Sequence, residues 1–156
     1  MIDPDILKLI HILSSTVLFG TGLGTAFHGL ASNLRKDVAG IVIANRNVVL
    51  ADWLFTTPAV IIQPVTGVLL AQARGWPLDS HWLLASIALY VFVGACWLPV
   101  VWLQIKMARM AEEALATRTA LPERYHRYFR WWFALGWPAF IAMIGIFWLM
   151  VAKPQF

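Results

Sequence analysis

Four long apolar runs decide what this chain can fold into. Residues 6–30, 48–72, 82–104 and 131–152 are each close to the roughly 20 residues that a tilted helix needs to cross a bilayer. Inside lipid a backbone N–H or C=O has no water to bond, so an apolar run of this length must satisfy its own groups as a helix. The expected fold is therefore all-α, a four-transmembrane-helix antiparallel bundle in up-down order, forming a single domain over residues 1–156. RGWPLD at 74–79 reads as the tight turn between helices two and three. The third helix is expected to run on to about residue 116 through MARMAEEALA, rich in strong helix formers, before Pro122 stops it.

Composition agrees: 60% of residues are hydrophobic and 13% charged, which excludes an ordinary soluble domain. The net charge of +4 is not a nucleic-acid signal, because the basic residues are confined. Arg35, Lys36 and Arg46 lie between the first two runs, and Lys106, Arg109, Arg118, Arg124, Arg127 and Arg130 between the last two. Only Lys8, Arg74 and Lys153 fall on the other side. The positive-inside rule then makes the basic connections cytoplasmic and both termini outside, N-out and C-out. The first run has no basic segment ahead of it, carries Asp3 and Asp5 instead, and is expected to be a retained span rather than a signal peptide. One cysteine, Cys96, allows neither an intrachain disulfide nor a cysteine metal cluster.

Polar residues inside the runs carry the functional information, since a charge at mid-membrane costs a few kcal/mol. Asp52 stands about five residues into the second run and needs a protein partner; Arg46, His28 and Arg130 lie at comparable depth. With Thr56, Ala59, Gln63 and Thr66 it shares one helical face, a polar stripe expected to point inward. The third run offers Ser86, Tyr90, Gly94, Trp97 and Gln104 at similar spacing.

In the first run His11 begins a face of small residues that continues through Ser14, Ser15, Leu18, Gly22, Thr25 and Gly29. Small faces admit close helix neighbours, and Gly20 with Gly24 forms a GxxxG pair, so helix or subunit packing explains them. They equally suit a flat cofactor with His11 as an axial iron ligand. His28 lies roughly 25 Å further along the helix and cannot share that iron. His81, at the start of the third helix, matches His11 in depth and is the candidate second ligand, with Met143 and Met150 as thioether alternatives. No GxSxG, HExxH, CxxC or Walker pattern is present.

LKLIHI at 7–12, TTPAVI at 56–61 and the ending YFRWWFALGWPAF with WLMVAKPQF resemble the HemJ-type protoporphyrinogen oxidases in order and position across all four runs. VLADWLFTTPAV, CWLPVVWLQI and FRWWFALGWPAF look more closely like a bacterial family of predicted integral membrane proteins (DUF2269-like), a resemblance that implies a bacterial cytoplasmic (inner) membrane with periplasmic termini. The distant resemblance implies heme b on His11, because a first-helix histidine after a Leu-Lys pair is implicated there. The oxidases' His and Lys after the helix-three tryptophan are replaced here by Leu84 and Ser86, and their late first-helix arginine is absent around Phe27 and His28.

Together these readings give a b-type heme-binding membrane protein with an electron-transfer or oxidoreductase role. In it His11, Ser15, Gly22 and Thr25 would seat the ring, Trp97, Trp137 and Trp148 would flank it, and a homo-oligomer and a membrane redox partner are expected beside the surrounding lipids. The alternatives are a non-catalytic binding or transport module built on Asp52, Thr56, Gln63 and Thr66, and a structural subunit of a larger membrane complex.

Overall fold

A computed structural model describes residues 3–154; residues 1, 2, 155 and 156 of the expected unit lie outside the described residues. The described chain is all-helical: α1 (Pro4–Arg35), α2 (Val38–Ala51), a five-residue π turn (Asp52–Thr56), α3 (Thr57–Ala73), α4 (His81–Thr117) and α5 (Glu123–Ala152). The segment Val38–Ala73 is one continuous rod through the π turn, so four helices are long and apolar enough to span a membrane.

Both basic connections turn out to be mostly helix rather than loop. α1 runs on to Arg35 and breaks only at Lys36, whose φ of 57° is left-handed. Asp37 then caps α2 by accepting from the Ala39 and Gly40 amides, offering oxygens to donors that a helix start leaves unpaired. Similarly, α4 continues to Thr117 and α5 begins at Glu123. Charges mark where a bilayer ends, not where a helix ends, and these extensions find their own core. Ile41, Val42, Leu103, Met107, Ala111, Tyr125, Tyr128 and Trp132 bury against one another at this basic end.

The opposite end carries both described termini and the 74–79 turn. There Gly75 adopts φ 65°, a conformation that costs glycine nothing. Ala71, Trp82, Leu83 and Leu149 form a second, smaller core. The Lys153 ammonium sits 3.7 Å from the Trp76 ring centroid, and Arg74 pairs with Asp5 across the mouth of the turn.

Between the two cores the helices separate. α1 lies along α3, and α4 along α5, as two close pairs, while α1 meets α5 at few points and α4 scarcely meets α3. One cross-link compensates for this. Pro64 has no N–H, so it leaves the Val60 carbonyl without its helical donor. Tyr90 of α4 donates its hydroxyl to that carbonyl at 2.6 Å.

Candidate functional site

The gap between the helix pairs is a cavity of about 270 Å³ at mid-bundle. Its wall is almost wholly apolar. α1 contributes Leu18, Gly22 and Thr25, the π turn and α3 contribute Asp52, Thr56 and Val60, and α4 and α5 contribute a belt that includes Trp97, Trp132, Phe133, Trp137 and Phe140. On the side between α1 and α5 the lining residues Gly22, Leu23, Gly136 and Trp137 are exposed, so the cavity opens sideways. Phe19 stacks on Phe140, with ring centroids 4.7 Å apart, and closes the turn-bearing edge of this opening. Gly22, Gly94 and Gly136 have no heavy atom within 4 Å of where a Cβ would stand, so the wall is unfilled at all three.

Four buried polar atoms in the described residues have no hydrogen-bond partner: Asp52 Oδ2, Trp97 Nε1, Gln104 Oε1 and Trp132 Nε1. All four residues line this cavity. Orphaned groups of this kind cost about 1–3 kcal/mol each, and a native protein keeps few of them without a reason. Their chemistry is complementary: the indoles donate, and the amide oxygen and carboxyl oxygen accept.

Asp52 is the first residue of the π turn. Its carbonyl accepts the Thr57 N–H five residues on, and also the Thr57 hydroxyl at 2.9 Å. Such single-turn bulges widen a helix locally and are frequent at functional sites. Thr56 Oγ1 donates to Asp52 Oδ1 at 2.8 Å, and the Gln104 side chain of α4 lies beside the same carboxyl. None of the three expected partners is used. Arg46 pairs instead with Glu112 at 2.6 Å, Arg130 approaches Glu123 at 3.9 Å, and His28 is exposed. Arg46 and Arg130 are exposed and meet exposed carboxylates, which spares the desolvation that joining the buried Asp52 would cost.

The inward stripe exists but divides. Asp52 and Thr56 face the cavity, whereas Gln63 and Thr66 turn to α1 and close a four-residue hydrogen-bond circuit with His11 and Ser14. Thr66 Oγ1 donates to the Ile62 carbonyl at 2.7 Å and lies 2.9 Å from His11 Nδ1. His11 Nε2 lies 3.1 Å from Gln63 Nε2, so both ring nitrogens are engaged with α3. Gln63 Oε1 in turn accepts from the Ser14 hydroxyl. The ring also sits tightly against α3: a Cβ on Gly67 would lie 3.1 Å from His11 Cε1.

The sequence-chosen residues therefore part company. Gly22, Thr25, Trp97 and Trp137 line the cavity with Asp52 and Thr56, while His11, Ser15, Gln63 and His81 do not. Ser15 bonds to the Ile12 carbonyl of its own helix, and Trp148 is 58% exposed and stands outside the cavity wall. No group of three or more His, Cys, Asp and Glu residues that could hold a metal ion occurs among the described residues. Trp132 and Cys96 of the cavity wall were not singled out by the sequence; Trp132 begins a transmembrane run and reads there as an interfacial anchor.

The family of predicted integral membrane proteins designated DUF2269 matches residues 5–154. The chain belongs to that family. No curated protein and no solved structure matches it. The family description carries no cofactor, so the heme implied by the HemJ-type resemblance must be weighed against the geometry. An axial ligand needs the lone pair of a ring nitrogen, and both nitrogens of His11 are engaged with Thr66 and Gln63 of α3, away from the cavity wall. A heme held by His11 in the mid-bundle cavity does not fit this arrangement.

Proposed function

We propose that this member of the family is a membrane-embedded binding protein for a lipid-soluble, ring-bearing molecule with a polar end. The ligand enters sideways from the bilayer between α1 and α5. The observation that carries the reading is the coincidence of four orphaned buried polar atoms with one aromatic, otherwise apolar cavity. Asp52 and Trp97 line only this cavity, and together they suit a ligand group that both donates and accepts, such as a hydroxyl or carbonyl on an unsaturated ring. At about 270 Å³ the space is near the lower bound for small-molecule pockets of roughly 300 Å³. It suits a single ring system whose apolar tail lies out through the lateral opening. The distribution of basic residues favours a cytoplasmic location for the ends joining α1 to α2 and α4 to α5, with both termini periplasmic.

The test is native mass spectrometry of the protein released from its membrane in mild detergent, followed by identification of what organic solvent extracts. Wild type should carry one apolar molecule per chain. Gly94→Trp, which places a side chain where no atom lies within 4 Å, should retain the fold and lose it. Equal retention by the variant would overturn the reading. The same spectra report whether the chain is a homo-oligomer, and a reduced-minus-oxidised visible spectrum of the same sample tests the b-type heme expectation directly.

A further inference from the structure

A second, much smaller space lies between the cavity and the basic end of the bundle. It measures about 10 Å³ and is bounded by all four rods: Asn33 and Gly29 of α1, Asn45 and Val48 of α2, Gln104 and Met107 of α4, and Phe129 and Trp132 of α5. That is the size of one water molecule, which needs roughly 10–15 Å³ and two to four polar partners. Gln104 and Trp132 are walls of both spaces, and the orphaned Gln104 Oε1 and Trp132 Nε1 supply an acceptor and a donor. On the far side Asn45 donates to the Tyr125 hydroxyl at 3.2 Å, and Asn33 lies beside that hydroxyl. Asn45 and Tyr125 are buried, whereas Asn33 is half-buried at the edge of the basic end.

We propose that Asp52 exchanges protons with the basic end of the bundle through this one-water gap. The route runs from the carboxyl past Gln104 to a water held by Gln104 and Trp132, and from it to water entering beside the half-buried Asn33; the Gln104, Asn45 and Asn33 amides hold this water by hydrogen bonds and carry no proton themselves. It begins where a buried carboxyl oxygen has no partner and ends where a half-buried amide meets the surface. A proton moving along it breaks one O–H bond and forms another at the carboxyl and at each water, and the water outside supplies or accepts it. The groups facing Asp52 leave no competing charge. α4 presents Tyr90 and Cys96 to the cavity, while the lining residues of α1, α3 and α5 include no titratable side chain. Tyr125 is the one titratable group in the cluster beyond the gap.

The experiment follows hydrogen–deuterium exchange at the Asp52 carboxyl by infrared spectroscopy of the full chain in lipid nanodiscs, the band being assigned by its loss in Asp52→Asn. Asn45→Leu and Asn33→Leu fill or line the passage with carbon and should slow exchange by about tenfold or more, the loss expected when a path must open one extra hydrogen-bonded contact. Asn45→Ser should restore most of the rate. Asn33, being half-buried, gives a variant that folds if Asn45→Leu does not. Melting temperature and retained apolar molecule are read in the same samples, so failure of the passage and failure of the binding reading are distinguishable. Wild-type exchange rates in both leucine variants, with or without a lowered melting temperature, would overturn the proposal and leave a structural water. A carboxyl with no exchangeable proton at any pH where the protein stays folded would overturn it as well.

Discussion

Tyr90→Phe tests whether one hydroxyl holds the two halves of the bundle together at the cavity. In the wild type Pro64 removes the donor that the Val60 carbonyl would have in a regular helix, and the Tyr90 hydroxyl replaces it at 2.6 Å. Removing the hydroxyl leaves a carbonyl unpaired in an apolar surround, a loss of about 1–3 kcal/mol in soluble proteins. Interhelical hydrogen bonds in membranes measure less, averaging about 0.6 and reaching about 1.7 kcal/mol. Because this carbonyl has lost its helical donor, a value near the upper end, about 1–1.5 kcal/mol, is expected. In a Pro64→Ala background residue 64 donates its own N–H to Val60, and Tyr90→Phe should then cost close to nothing. The double-mutant cycle isolates a coupling of about 1 kcal/mol from whatever Pro64→Ala does by itself. Reversible unfolding in mixed micelles, or steric trapping in bilayers, reads all four species. An equal cost of Tyr90→Phe in both backgrounds would refute the reasoning, showing that the proline-freed carbonyl is not what the hydroxyl serves.

Gly67→Ala should destabilise by about 1–3 kcal/mol, because the new Cβ stands 3.1 Å from a ring tied at both nitrogens. His11→Ala should relieve most of that cost, and an undiminished penalty in the double variant, measured by the same unfolding assay, would place the strain elsewhere. Arg46→Ala should change stability by less than about 1 kcal/mol despite its 2.6 Å contact, since the side chains of Arg46 and Glu112 are 66% and 40% exposed. A larger loss in chemical denaturation would mean that this pair is shielded from water. His11→Ala should leave the apolar molecule in place, because the ring does not line the cavity; its loss from native mass spectra would return the histidine to the binding site.

The four spans were legible because the bilayer sets both a length and an apolarity that few other structures need. The inward faces were legible too, through the 3.6-residue period: Ser14, Leu18 and Gly29 of α1 and Asp52, Thr56, Ala59 and Thr66 of the second rod are all buried. Linear reasoning failed where partners were chosen by depth and charge. It paired Asp52 with cations, whereas the carboxyl is met by Thr56 one turn on and by Gln104 of α4. It also gave His11 a free nitrogen, because the closure of Gln63 and Thr66 around that ring depends on how α1 lies against α3. Gly20 and Gly24, expected at a helix or subunit contact, face outward, and a Cβ at either position would meet no heavy atom of this chain within 4 Å, so no helix of the same chain is the neighbour. A two-residue motif says that close approach is permitted, not which neighbour makes it.

The most direct measurement is the 15N–1H resonance of the Trp97 indole, assigned by its loss in Trp97→Phe, in protein taken from its membrane before and after exhaustive extraction of apolar molecules. The binding account predicts a hydrogen-bonded indole that shifts when the extract is removed and returns when the extract is restored. A resonance that stays the same through removal and restoration would contradict it, because the orphaned indole would then have no ligand to meet.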